Sequence, residues 1–196
     1  MDYQERVLHL LEKSGGIVTT SMLQSEKIPT VYLTRMNRKG IIERVDRGIY
    51  RIPGGVYDEY FFFSLKYPKI IYSYTSALYL FGYTDQIPEN IEITVYSGYN
   101  ASRINKDVKI HYIKKEYHEL GKTSIETMFS NVVPVYNIER TICDLVSERD
   151  KIEVEVFAKA IQRYTSSKGR DLNLLFEYAK KLKILDKVRD IMEVQL

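Results

Sequence analysis

The chain has 196 residues, with 29 Lys or Arg against 26 Asp or Glu, a formal net charge of +3, 44% hydrophobic and 28% charged residues. That balance fits an ordinary soluble globular protein of one or two domains and excludes a general polycation. No apolar run of about 18 residues and no signal peptide is present, so neither membrane insertion nor secretion is supported. The single Cys143 excludes an internal disulfide or a cysteine zinc cluster within one chain, and a reducing cytoplasm is the expected location.

Residues 2 to 13 read as an amphipathic helix with Tyr3, Val7, Leu8, Leu10 and Leu11 on one side and Glu5, Arg6, His9, Glu12 and Lys13 on the other. Asp2 with Glu5 three residues on has the form of a capping box, and Ser14-Gly15-Gly16 stops the helix. Residues 17 to 53 then read as two short helices, broken at Ile28-Pro29, followed by a tight β-hairpin. That order predicts a winged helix-turn-helix with the first helix as its scaffold.

The second of these helices, expected from Thr30 to Lys39, separates into two faces at about 100° per residue. Leu33, Met36 and, at the edge, Tyr32 fall on one side, while Val31, Thr34, Arg35, Arg38 and Lys39 fill the opposite arc. An outward face of three cations, a hydroxyl and a small apolar group suits the DNA major groove, where Arg pairs with guanine and an apolar group meets a thymine methyl. Thr30 is the expected N-cap and Gly40 the left-handed terminator.

Beyond Gly40, Ile41 to Val45 and Ile49 to Ile52 are β-type runs separated by Asp46-Arg47-Gly48, a spacing that predicts a G1-bulged hairpin with Arg47 at its tip. From Lys27 to Arg51 there are seven Lys or Arg (Lys27, Arg35, Arg38, Lys39, Arg44, Arg47, Arg51) against Glu43 and Asp46. A basic patch on a nearly neutral chain is the footprint of a localised nucleic-acid site. The candidate DNA-contacting residues are Thr30, Val31, Thr34, Arg35, Arg38, Lys39, Arg44 and Arg47.

Pro53-Gly54-Gly55 is the strongest linker signal and places a boundary near residue 55, with residues 1–55 as the DNA-binding domain and 56–196 as a second domain. The second domain reads as mixed α and β. Tyr57 to Tyr67 is a helix closed by Pro68, Thr75 caps a short helix ended by Gly82, and Ile91 to Tyr96, Val108 to Lys114 and Val132 to Tyr136 are strands. A long polar loop from Ser97 to Lys106 links the first two. Asn137 caps a helix with the stripe Ile138, Ile142, Leu145 and Val146, and two further helical patterns follow on either side of Gly169. The fold class is therefore α+β: the winged N-terminal domain, then a small sheet with a helical C-terminal part.

No catalytic constellation assembles: there is no glycine-rich phosphate loop, GxSxG or HExxH, and no cofactor or metal site is expected. His111 and His118 fall on a strand and a loop, a poor arrangement for a shared metal. Glu139, Arg140 and Asp144 read as a surface or interdomain ion-pair network.

Taken together, the N-terminal pattern through RGIYRIP, the Ser76 to Pro88 segment SALYLFGYTDQIP and the Tyr136 to Leu145 segment YNIERTICDL resemble the AbiEi antitoxins of type IV toxin-antitoxin systems. None of these is a catalytic motif; the resemblance lies in their order and spacing. It implies a phage-defence protein with two roles, repression of its own operon through the winged domain and neutralisation of a cognate nucleotidyltransferase toxin, for which a stable complex is not required. Operator binding carries over to Thr34, Arg35, Arg38 and Arg47. Two alternatives stand beside it: a ligand-responsive winged-helix transcription factor whose tyrosine-rich domain holds a small molecule, and an enzyme delivered to DNA.

Overall fold

The computed structural model describes residues 2–195. The chain is α+β and divides into two compact units, Met1–Pro68 with Glu126–Val133, and Lys69–Ile125 with Pro134–Leu196.

The first unit begins with α1 (Tyr3–Lys13), β1 (Ile17–Thr19), α2 (Thr20–Ser25) and α3 (Val31–Arg38). It continues with β2 (Glu43–Asp46), β3 (Ile49–Arg51) and α4 (Glu59–Lys66). The Asp2 amide donates to the Glu5 carboxylate at 2.9 Å, which fixes the start of α1 as the capping pattern requires. Val7, Leu11, Val18, Leu23, Ile28, Leu33, Met36, Ile42 and Tyr50 form one core. Burial of each large aliphatic side chain contributes about 1.5–3 kcal/mol. Tyr3 and Leu8, expected on the inner face of α1, are 39% and 37% exposed because they flank the stripe rather than centre it.

Strand β1 is absent from the sequence expectation. Three residues are too few to display alternation, and all three are buried; β1 pairs antiparallel with β3, so the sheet order is β1-β3-β2. In the hairpin, Asp46 pairs with Ile49, which leaves Arg47-Gly48 as the connecting loop. Gly48 is left-handed at φ 75 as expected, but the ladder irregularity lies between Arg44 and Asp46 instead of at the glycine.

The boundary between units falls after Pro68, not near residue 55. Gly54 and Gly55 lie within the first unit, and the next segment returns to the turn after α1: the Asp58 amide donates to the Gly15 carbonyl at 2.9 Å. Asp58 caps α4 through the Phe61 amide at 3.0 Å, and its other oxygen accepts from Thr127 Oγ1 and from Asn131 Nδ2 at 2.8 Å. Asn131 Nδ2 also donates to the Ser14 carbonyl at 3.1 Å. Phe129 packs on Gly15, where a Cβ would stand 2.7 Å from the ring. Segment 126–133, remote in sequence, thus completes the first unit.

The second unit carries a five-stranded sheet of order β6-β5-β4-β8-β7. Its strands are β4 (Ile71–Tyr72), β5 (Glu92–Tyr96), β6 (Lys109–Ile113), β7 (Lys122–Glu126) and β8 (Val132–Tyr136). Strand β4 runs antiparallel to β5 and parallel to β8, and β5 runs parallel to β6. The helices are α5 (Tyr74–Leu80), α6 (Lys115–His118), α7 (Ile138–Ser147), α8 (Val154–Ser166), α9 (Leu172–Lys181) and α10 (Leu185–Gln195). Ser73, not Thr75, occupies the cap position of α5.

Helix α7 is buried from Glu139 to Val146, so it is the central helix of this unit and its charges are not a surface network. Arg140 is 1% exposed; its Nε donates to Asp144 Oδ1 at 2.9 Å, and its Nη1 donates to the carbonyls of Tyr117 and Leu120. Its guanidinium also lies 4.2 Å from the Tyr136 ring centre. Glu139 accepts from the Asp171 amide at 3.2 Å. A helix surrounded on all sides keeps polar residues only where such partners exist.

Candidate nucleic-acid interface

Helix α3 and the β2–β3 hairpin carry all the residues singled out from the sequence. Ile28 is buried and Lys27, at φ 54, makes the tight turn out of α2, closed by the Ile28 amide on the Leu23 carbonyl at 2.8 Å. Helix α3 then starts after Thr30, which already has helical dihedrals and whose side chain makes no capping bond. The expected Thr30 cap is thus positional only. At the other end Gly40 is left-handed at φ 70 and the Ile41 amide bonds the Met36 carbonyl at 3.0 Å, closing the helix as the glycine predicts.

Leu33 and Met36 are each 1% exposed, so α3 presents its opposite arc to solvent. Thr30, Val31, Thr34, Arg35, Arg38 and Lys39 are all exposed, as are Arg44 and Arg47 on the hairpin. The hairpin is tied to α3, because Asn37 Oδ1 accepts the Arg44 amide at 3.0 Å. The sequence does not mark Asn37, because an exposed amide at a helix end carries no signal of its partner. Arg44 Nε donates to the Asp46 carbonyl at 3.1 Å, while the Arg47 amide bonds the Asp46 carboxylate at 2.6 Å, fixing the hairpin tip.

Six of the seven cations counted in this stretch are exposed: Lys27, Arg35, Arg38, Lys39, Arg44 and Arg47. The seventh, Arg51, pairs with Glu43 and stacks 4.9 Å from the Tyr57 ring centre. Its guanidinium belongs to the framework of the unit. Local acidity does not cancel the others: Glu43 is taken by Arg51, and Asp46 lies 4.0 Å from Lys66. The result is an electropositive helix face beside an electropositive hairpin tip.

In the second unit a cleft of about 230 Å³ is lined by Thr75, Gln86, Asn90, Glu92, Lys109 and Ile152 among others. Glu92 is 5% exposed and accepts from His111 at 2.7 Å, Thr75 at 2.9 Å and Lys109 at 3.4 Å. Burial raises its carboxyl, but His111, Lys109 and Thr75 outweigh that and hold it below the ordinary glutamate range. His111 stacks on Tyr74 with ring centres 3.6 Å apart, and Tyr74 stands at φ 50, a strained setting for a bulky residue. His118 is buried away from this cluster, beside Glu119, and its imidazole is depressed by burial. Among the described residues no group of three or more His, Cys, Asp or Glu could hold a metal. Burial pushes the Cys143 thiol up to about 12, so it is no nucleophile at neutral pH. No helix among the described residues is long and apolar enough to cross a membrane.

The first unit thus presents an exposed basic arc on α3 beside the exposed Arg44 and Arg47 of the hairpin. Residues 5–53 match the family model described as a transcriptional regulator, AbiEi antitoxin, in agreement with the resemblance read from the sequence. The matched span runs from α1 through β3. No curated protein is significantly similar to the chain. Among solved structures, the RV2827C protein from Mycobacterium tuberculosis is similar in fold, with a TM-score of 0.50 and 14% identity over 94% of this chain and 76% of that one.

Proposed function

We propose that the first unit is a winged helix-turn-helix that binds the promoter of its own operon, and that the chain is the antitoxin of a type IV system, acting against a cognate nucleotidyltransferase toxin. The observation that carries the reading is the set of exposed cations on α3 and the hairpin tip, within a segment of AbiEi antitoxin type. In this reading α3 enters the major groove, with Arg35 and Arg38 reading base edges and Val31 and Thr34 between them, while Arg44, Arg47 and Lys39 meet phosphate. One such module buries little DNA surface, so two copies on paired half-sites supply the specificity. Neutralisation needs no stable complex with the toxin, and the reading assigns no catalytic step to this chain.

The test has two arms. Gel shifts with the duplex upstream of the gene and a scrambled duplex should show preference for the former, and Arg38→Ala should weaken that preference by about 1–3 kcal/mol if the arginine makes a bidentate base contact. The reading requires a nucleotidyltransferase gene beside this one, and co-expression with its product should restore growth. Equal affinity for both duplexes removes the repressor role, and lack of rescue removes the antitoxin role.

The ligand-responsive reading is favoured by one observation, the cleft over Glu92 and Lys109. A metabolite that raises the melting temperature and shifts promoter affinity would establish it, and that shift should vanish in Lys109→Ala.

A further inference from the structure

Of the cations on the outward arc of α3, Arg35 differs from Arg38 and Lys39 in having an aromatic ring beneath it. Its guanidinium lies 5.3 Å from the centre of the Tyr32 ring, one turn earlier on the same helix. Tyr32 is half-buried at the margin of the core, and its ring lies 5.2 Å from that of Tyr3 on α1, tilted by 48°. Tyr3 in turn lies under Arg6 at 5.7 Å, and Arg6 Nη2 donates to the Glu26 carbonyl at 2.7 Å, at the end of α2. The Tyr32 ring is therefore in contact both with α1, through Tyr3, and with the Arg35 guanidinium.

We infer that Tyr32 is a positioning residue for sequence reading: it orders the Arg35 guanidinium before DNA arrives. The inference rests on the proposed role of α3 in the major groove. A free surface arginine samples many rotamers, and a bidentate contact to a base edge must bring it into one of them. A ring at the boundary between the buried and outward arcs is placed to restrict those rotamers, being packed against the core and within cation–π range of the guanidinium. That position makes Tyr32 more than the edge of an apolar stripe.

The experiment uses the full chain with the upstream and scrambled duplexes. Tyr32→Phe, which keeps the ring, should bind as wild type. Tyr32→Leu, which keeps apolar volume but removes the π face, should weaken upstream-duplex binding about two- to fivefold, the range of an exposed cation–π contact, and leave the scrambled duplex unaffected. In an Arg35→Ala background Tyr32→Leu should have no further effect. An equal loss in that background, or an equal loss on both duplexes with a lowered melting temperature, would make Tyr32 a packing residue and overturn the inference. If Arg35→Ala itself leaves binding intact while Arg38→Ala weakens it, Arg35 reads no base and the inference fails although the helix-face reading stands; if neither matters, that reading fails.

Discussion

Arg140 and Asp144 stand one turn apart on α7 as a buried ion pair, with Nε 2.9 Å from Oδ1 and side chains 1% and 8% exposed. Because Nη1 also serves the carbonyls of Tyr117 and Leu120, this guanidinium holds the segment leading into β7 as well as its own helix. Gly121 lies against the aliphatic stem of Arg140, left-handed at φ 77, where a Cβ would stand 2.5 Å from the Arg140 Cβ. Removing the arginine would strand a carboxylate and two carbonyls in the interior. Arg140→Ala should accordingly cost about 3–5 kcal/mol, whereas Arg140→Met with Asp144→Leu should recover much of that loss. Urea denaturation of the full chain measures both; a loss under about 1 kcal/mol for Arg140→Ala would show that water replaces the guanidinium.

Asp58 is 2% exposed and serves as a cap for α4 and as acceptor for Thr127 and Asn131. Asp58→Ala removes one cap and leaves two buried donors without their carboxylate. The expected cost to the first unit is about 2–4 kcal/mol. Proteolysis should then open segment 126–133 first. Unchanged protection of that segment would mean that Phe129 against Gly15 suffices to hold it.

Arg47 at the hairpin tip offers a test of the wing. Its replacement by Ala should weaken binding to the upstream and scrambled duplexes alike, and reduce the slope of log affinity against log salt by about 0.9, one phosphate contact. Loss confined to the upstream duplex would place Arg47 on a base edge instead.

Glu92 predicts an acid limit for the second unit. Its carboxyl is held below the ordinary range in the fold, so the ionised group contributes stability above the ordinary glutamate value of about 4.3 and loses it as pH falls through the lowered value. Glu92→Gln should be less stable than wild type at neutral pH and should lose less on acidification below about pH 4.3. Melting temperatures between pH 3 and 7, on the order of one point per half unit, would resolve the two curves. Parallel curves would show that Glu92 titrates as an ordinary surface carboxylate.

Local patterns determined much of the first unit. The stripe of Leu33 and Met36, the glycines at 40 and 48 and the alternation around the hairpin act within one or two turns of chain, and the elements they predict are present. The exposed arc of α3 follows from the same periodicity, so the candidate interface was legible before any tertiary contact. What only the tertiary structure decided has no local cause. Three buried residues, Ile17 to Thr19, join a sheet whose partner strand lies beyond α2 and α3. Asp58 finds Thr127 and Asn131 across a long stretch of chain, which carries the unit boundary past the Pro-Gly-Gly turn. Glu139, Arg140 and Asp144 look like surface charges along one helix because their type signals solvent. They are interior because α5, α8, α9 and α10 pack around α7, and the partners that make their burial affordable come from other elements. Periodicity records which face of an element is apolar; it does not record which remote side chain will satisfy a polar one.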